Sequence, residues 1–250
     1  MYLRAVDSSS LPTWPGHTAL FLDLDGTLLE FADKPHLVEV SEKFRGLLPR
    51  LMKLEDGGVA IVSGRSIADL DGLLAPYRFA VAGVHGSERR NYQGEKLPSK
   101  ADPAALAPVR TAIERFVAEH DDLVIEDKRI SIALHYRLRP DLTGAIETCI
   151  EELSRALPAE YVLLRGKMMF EVHPAGVDKG SAIRDFMGEA PFAGATPVFI
   201  GDDVTDEAGF KVVNDLGGVS VKVNSGDTAA AWRLDDVDAV LDWLDTVVPE

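Results

Sequence analysis

One cysteine, Cys149, stands in 250 residues, so an internal disulfide and a cysteine metal cage are both excluded. It lies on the apolar side of a predicted helix and reads as a small buried hydrophobe. No apolar run approaches the ~18 residues that a membrane span needs. Histidine is sparse, six in all, and the six have no ligand spacing, which argues against a zinc site. Cations are outnumbered, 26 lysines and arginines against 41 acids, for a net charge of -15. That field repels nucleic acid, anionic membranes and phosphorylated ligands, so a phosphorylated substrate would need cations placed locally. There is no internal repeat and no low-complexity segment. Residues 1–17 lack the apolar core of a secretory signal and read as a short flexible lead-in. These absences together fit a cytoplasmic protein.

What is present is a core-forming chain, 46% hydrophobic, organised around Phe21-Leu22-Asp23-Leu24-Asp25-Gly26-Thr27. An apolar strand, residues 19–22, ends in two carboxylates one residue apart and then a glycine that permits a tight turn. A calcium loop of the Asp-x-Asp-x-Asp-Gly kind does not fit. With Gly26 at loop position six, positions one and twelve would be Phe21 and Ala32, neither of them a ligand.

The elements then alternate. A helix is predicted over residues 40–54, a strand over 59–62, a helix over 67–74 and a strand over 79–82, the pattern of a parallel sheet with right-handed crossovers. Asn91-Tyr92-Gln93-Gly94 reads as a hairpin tip. The rhythm changes at residues 99–174, where helix–strand–strand occurs twice and implies an antiparallel sheet with helices on one face. Alternation in that insert puts Ile130, Ile132, Leu134 and Tyr136 on one side and Arg129, Ser131, Ala133, His135 and Arg137 on the other. A last strand, residues 168–172, puts Lys167, Met169, Glu171 and His173 on the polar side. Lys167 and Glu171 would stand roughly 13 Å apart along it. That face reads either as a solvated surface or as a lid over a hydrophilic ligand. From residue 177 the first rhythm resumes. Asp178-Lys179-Gly180 opens a helix, and a strand over 197–200 runs into Gly201-Asp202-Asp203-Val204-Thr205-Asp206-Glu207. The expected fold is α/β, a Rossmann-like parallel-sheet core formed by residues 1–98 and 175–250, with an inserted α+β cap at 99–174.

Asp23 and Asp25 follow one strand, and Asp202, Asp203 and Asp206 follow another. Active sites of parallel α/β sheets lie at the carboxyl ends of strands, so these five acids converge. Two carboxylates ~4 Å apart repel by about 4 kcal/mol at an effective dielectric near 20, and such a cluster needs a cation. All-oxygen ligands with open positions for phosphate suit Mg²⁺. Ser63 ends a third strand before a helix N-terminus, where it could cap the helix or help hold an oxyanion. Lys179 opens a helix, where the macrodipole mildly disfavours a cation, which points to an anionic partner. No Gly-x-x-x-x-Gly-Lys-Ser/Thr loop is present, which excludes a P-loop nucleotidase. The set is equipped for phosphoryl transfer through a carboxyl phosphate. Asp23 would be the nucleophile and Asp25 the acid and base, with Ser63 and Lys179 on the phosphoryl oxygens.

These residues resemble the four motifs of the haloacid dehalogenase superfamily: Asp23-Leu24-Asp25-Gly26-Thr27, Ser63, Lys179 and Asp202-Asp203. More narrowly, the chain is similar to the trehalose-6-phosphate phosphatases. The stretches that carry this are Val62-Ser63-Gly64-Arg65, Ala82-Gly83-Val84-His85-Gly86, Leu134-His135-Tyr136-Arg137, Gly166-Lys167 followed by Glu171, and Gly201 to Glu207. The resemblance implies Mg²⁺ on Asp23, the Asp25 main-chain carbonyl and Asp202, with Asp203 and Asp206 supporting. It implies a substrate-binding set of Gly64, Arg65, His85, Arg129, His135, Arg137, Lys167 and Glu171, with the insert as substrate-binding cap. His173 departs from the pattern, since many relatives carry arginine there. A monomer acting on a small sugar phosphate is expected. Two alternatives stand beside trehalose 6-phosphate hydrolysis: the same chemistry on sucrose 6-phosphate or another sugar phosphate, and a non-catalytic sugar-phosphate sensor.

Overall fold

The computed structural model describes residue 12 and residues 14–30, 38–54, 57–99, 101–166 and 168–249. Residues 1–11 of the expected lead-in, and Lys167, lie outside them. The chain divides into two compact units, Met1–Pro98 with Asp178–Glu250, and Ser99–Val177.

The first unit begins with β1 (Thr18–Leu22), buried along its whole length. Ser41 caps α1 (Glu42–Met52), which buries Phe44, Leu47, Leu48 and Leu51 on one stripe. Then come β2 (Val59–Val62), α2 (Ile67–Leu73) and β3 (Ala80–Gly83). The tip at 91–94 joins β4 (Glu88–Arg90) and β5 (Lys96–Leu97), which extend the sheet antiparallel from β3.

The second unit holds α3 (Ala107–Ala118), β6 (Val124–Asp127), β7 (Ile132–His135), α4 (Thr143–Ala156), β8 (Tyr161–Gly166) and β9 (Met169–Pro174). Its sheet has the order β6-β7-β9-β8, all antiparallel. One face carries Ile132, Leu134, Phe170 and Val172, all buried. The same face reaches the helices through polar links: Arg110 on α3 donates two hydrogen bonds to Asp127 on β6, and Glu147 on α4 pairs with Arg165 on β8. The other face carries Val124, Glu126, Ala133, His135, Val162, Leu164, Met169, Glu171 and His173 in register. It is therefore less polar than expected, with Val124, Val162 and Leu164 exposed on it.

β7 is also shorter than the sequence suggests, and β9 starts one residue later and runs two residues further. Arg129 sits in a turn at φ 67, Met168 precedes β9 at φ 59, and Arg137 lies past the end of β7. Alternation therefore does not place Arg129 or Arg137 on the sheet face. Left-handed backbone interrupts a strand's two-residue period, and neither Arg129 nor Met168 is a glycine that would have signalled it.

The first unit resumes with α5 (Lys179–Met187), capped by Asp178, then β10 (Thr196–Gly201), α6 (Glu207–Asp215), β11 (Val219–Val223), β12 (Trp232–Leu234) and α7 (Val237–Val247). The short β12 has no counterpart in the sequence reading. Its sheet runs β12-β11-β10-β1-β2-β3-β4-β5, and the first six strands are parallel. Leu20 and Leu22 face one core with α1, α2 and α7. Ala19 and Phe21 face the other with α5 and α6. The order reverses at β1, whose neighbours are β2 and β10, and this switch point is where open α/β sheets bind ligands.

Candidate active site

Asp23 follows the last paired residue of β1, and Asp202 follows the last residue of β10. Leu22 pairs with Ile200 in parallel register, and the Asp23 N–H donates to the Ile200 carbonyl at 3.0 Å. Two carboxylates are thus delivered side by side by adjacent strands. Gly26 turns the chain at φ 78, and its N–H donates to the Leu29 carbonyl at 2.7 Å. The turn brings Thr27 back, fully buried, with its hydroxyl 3.4 Å from both Asp23 Oδ2 and Asp202 Oδ1.

Asp206 comes from the single helical turn after Gly201. Its Oδ2 accepts the N–H groups of Asp202 (3.0 Å) and Asp203 (2.9 Å). Its Oδ1 lies 2.7 Å from Lys179 Nζ, and the same ammonium lies 2.8 Å from Asp23 Oδ1. Lys179 opens α5, and its side chain is 3% exposed, so the pairing is made away from water. Carboxylate oxygens of Asp23, Asp202 and Asp206 all lie within 4.8 Å of one another.

The electrostatics follow from that crowding. Burial pushes Asp23 well above the usual carboxylate range; Lys179 opposes this, and Asp206 and Asp202 add to it. Burial likewise raises Asp202 to about 6, with Asp206 next in importance. The two carboxylates drive the Lys179 ammonium upward despite its desolvation, so it stays charged. Three carboxyl groups face one ammonium, an excess of acidic oxygens over the cation present. A hard divalent cation fits this oxygen set and that excess. Both Asp206 oxygens are already engaged, so it is built to support such an ion more than to ligate it. Asp203 is exposed and outside the group.

Asp25 is engaged elsewhere. Arg65 Nε donates to its Oδ2 and Arg65 Nη2 to its Oδ1, both at 2.6 Å. The Arg65 guanidinium is raised still further by this hydrogen bonding. Ser63 is buried after β2, next to β1; its hydroxyl accepts the Arg65 N–H at 3.2 Å. The His85 N–H donates to the Ser63 carbonyl and the Val84 N–H to the Arg65 carbonyl, each at 2.9 Å. Two loops are thereby tied together. The His85 ring then lies so close to Gly64 that a Cβ there would meet it at 2.7 Å.

The remaining expected residues lie in the second unit. His135 Nε2 is 3.3 Å from Glu126 Oε2, and Lys128 Nζ is 3.3 Å from Glu126 Oε1. Hydrogen bonding to His135, aided by Lys128, lowers Glu126 to about 2 against its desolvation. Glu171 is buried, and among the described residues its Oε1 has no hydrogen-bond partner. Arg129 and Arg137 are exposed.

The structure thus joins Asp23, Lys179, Asp202 and Asp206, pairs Asp25 with Arg65, and sets Gly64 against His85. Sequence reasoning missed three participants. Thr27 was inside the quoted motif, but only the turn shows its hydroxyl between two carboxylates. Glu126 lies on β6, whose residues the alternation did not assign, and Lys128 lies just past it. Their link to His135 depends on cross-strand register.

The fold of this chain also occurs among known structures. A haloacid dehalogenase-like hydrolase from Bacteroides thetaiotaomicron matches with a TM-score of 0.65 over 91% of this chain and 98% of its own, at 18% identity. A solved trehalose-6-phosphate phosphatase related protein matches with a TM-score of 0.75 at 27% identity, over 91% of this chain and 96% of its own. The fold class is that of the haloacid dehalogenase-like hydrolases. The trehalose-6-phosphate phosphatase of Escherichia coli (strain K12) is 43% identical over 229 residues, 92% of this chain and 86% of that protein. A probable trehalose-phosphate phosphatase of Sinorhizobium fredii (strain NBRC 101917 / NGR234) is 41% identical over 217 residues, 86% of this chain and 80% of that protein. The model of the trehalose-phosphatase family matches residues 21–238, and the chain belongs to that family.

Proposed function

We propose that the chain hydrolyses trehalose 6-phosphate to trehalose and phosphate through an aspartyl phosphate on Asp23, as the last step of trehalose synthesis. The observation that carries this is the buried group of Asp23, Lys179, Asp202 and Asp206 at the switch point, in a chain of the trehalose-phosphatase family. Asp23 Oδ attacks phosphorus in line; the bond to the sugar oxygen breaks, its electron pair stays on that oxygen, and Asp25 delivers a proton there. Water then attacks the same phosphorus, gives its proton to Asp25, and the Asp23 carboxylate leaves. Ser63 and Lys179 hold the phosphoryl oxygens as charge redistributes.

Mg²⁺ held by Asp23, Asp202 and the Asp25 main-chain carbonyl, with Asp203 and Asp206 supporting, would supply the positive charge that the excess of carboxylates calls for. Gly64, Arg65 and His85 border the phosphate site in this reading. The second unit reads the sugar: His135 and Glu171 on its sheet, with Arg129, Arg137 and Lys167 as further contacts. The unpartnered oxygen of Glu171 supports this, because a buried acceptor of that kind is satisfied by a sugar hydroxyl. The protein is placed in the cytoplasm on the same reading.

Phosphate release from trehalose 6-phosphate, sucrose 6-phosphate and glucose 6-phosphate, with Mg²⁺ and with excess chelator, tests the proposal. Preference for the first substrate, lost in chelator, is expected. Equal rates on all three would remove the substrate assignment, and binding without turnover would leave a sensor.

A further inference from the structure

The turn after β1 leaves the side chain of Asp25 without support from the sheet. It lies three residues past Leu22, the last residue paired in β1. Its carboxylate is nonetheless fixed in one plane by Arg65, with Nε on Oδ2 and Nη2 on Oδ1, both at 2.6 Å. This fork-on-fork pair is short even for a charge-assisted hydrogen bond and sets orientation as well as distance. A lysine could supply the charge but not the fork.

Arg65 is itself anchored. Its N–H donates to the Ser63 hydroxyl at 3.2 Å, and its carbonyl accepts the Val84 N–H at 2.9 Å. The guanidinium therefore projects from a loop tied to the ends of β2 and β3, and it is largely screened from water with its side chain 14% exposed. Each Asp25 oxygen keeps a second lone-pair direction free of the guanidinium.

We infer that Arg65 is the positioning residue of Asp25, holding its carboxyl group in the orientation from which a proton is given to the leaving sugar oxygen and then taken from water. This deepens the aspartyl-phosphate reading and rests on it. It moves Arg65 out of the set that binds substrate directly.

The two roles separate by leaving group. A sugar alkoxide needs a proton as it departs, whereas p-nitrophenolate leaves without one. Formation of the phosphoenzyme from p-nitrophenyl phosphate therefore depends on Asp23 and phosphate binding but not on a well-placed Asp25. With Arg65→Gln, kcat on trehalose 6-phosphate should fall about 100-fold with KM within about threefold, the scale of a misplaced catalytic group. In rapid-quench measurements, the first turnover of p-nitrophenyl phosphate should keep its rate within about threefold, followed by slow turnover with phosphoenzyme accumulating.

Arg65→Lys should behave similarly, and it carries the same test if Arg65→Gln does not fold. First-turnover rates that fall in step on both substrates, with KM rising, would return Arg65 to direct phosphate binding and overturn the inference. Asp23→Asn run alongside keeps the two readings apart. If that variant still turns over, the aspartyl-phosphate reading itself has failed.

Discussion

Gly201 and Asp206 occupy one space. A Cβ on Gly201 would stand 2.4 Å from Cγ of Asp206, closer than any side chain tolerates. The last residue of β10 must therefore lack a side chain for the Asp206 carboxylate to reach Lys179 and the N–H groups of Asp202 and Asp203. Gly201→Ala should displace Asp206 and with it the cluster. The expected result is a loss of phosphate release larger than the stability cost, which overpacking sets at about 1–3 kcal/mol. Thermal unfolding and turnover on the same sample check this. Full activity in the alanine variant would show that Asp206 can move without consequence.

Asp23→Asn should abolish turnover by more than about 1,000-fold, since in the proposed mechanism the nucleophile is removed and nothing nearby replaces it. It should not destabilise the metal-free protein. Burial and the neighbouring carboxylates already disfavour the Asp23 charge, and Lys179 keeps Asp206 as its partner. An inactive variant with an equal or higher unfolding midpoint in chelator is expected. A large drop in midpoint would mean that the Lys179–Asp23 pair holds α5 to the end of β1.

Asp202 gives the site a pH dependence of definite sign. Its folded value is raised from 3.8 to about 6, so its contribution to stability is fully present below 3.8 and is lost as pH rises through about 6. Metal binding works against the proton. Below about pH 6 the ion must displace it, and apparent Mg²⁺ affinity should fall up to tenfold per pH unit for each proton released. Calorimetric titration of Mg²⁺ in buffers of different ionisation enthalpy, between pH 5 and 7.5, measures that release. Asp202→Asn should remove its own share of that proton release and leave the share owed to Asp23. A proton count of zero at pH 5.5 would contradict the raised value.

The sequence was most informative where physics is local. Strand ends with acids, a capped helix opening at Asp178, and apolar stripes such as Phe44, Leu47, Leu48 and Leu51 gave the core strands and helices to within a residue or two. The clustering of Asp23, Asp202 and Asp206 was legible because parallel sheets gather strand ends. Long-range pairing was not legible. Nothing local to Asp25 or Arg65, 40 residues apart, announces a bidentate pair. The two-residue period overreached at Arg129 and Met168, where left-handed backbone without glycine ended the strands. The short β12 carries only Trp232, Arg233 and Leu234, too few residues for an alternating pattern.

Glu171 offers the clearest separation of sugar recognition from chemistry. In register across the sheet, Ala133 stands between Glu126 on one side and Glu171 on the other. Adjacent strands are about 4.8 Å apart, so the two acidic residues flank a small side chain at roughly 10 Å separation. Glu126 is already engaged by His135 and Lys128, whereas Glu171 has a buried oxygen with no partner among the described residues. A site that hydrogen-bonds hydroxyls rejects analogues lacking them, because its polar groups are left unpaired. Glu171→Ala should therefore lower kcat/KM on trehalose 6-phosphate by about 100-fold or more, because the sugar hydroxyl it accepts from loses its partner. Turnover of p-nitrophenyl phosphate, which offers no hydroxyls to read, should stay near that of the unsubstituted protein. Glu171→Gln, which keeps an acceptor oxygen and the shape, should fall between the two. Equal losses on both substrates would make Glu171 a support of the fold, and no loss on either would make this sheet face a plain surface.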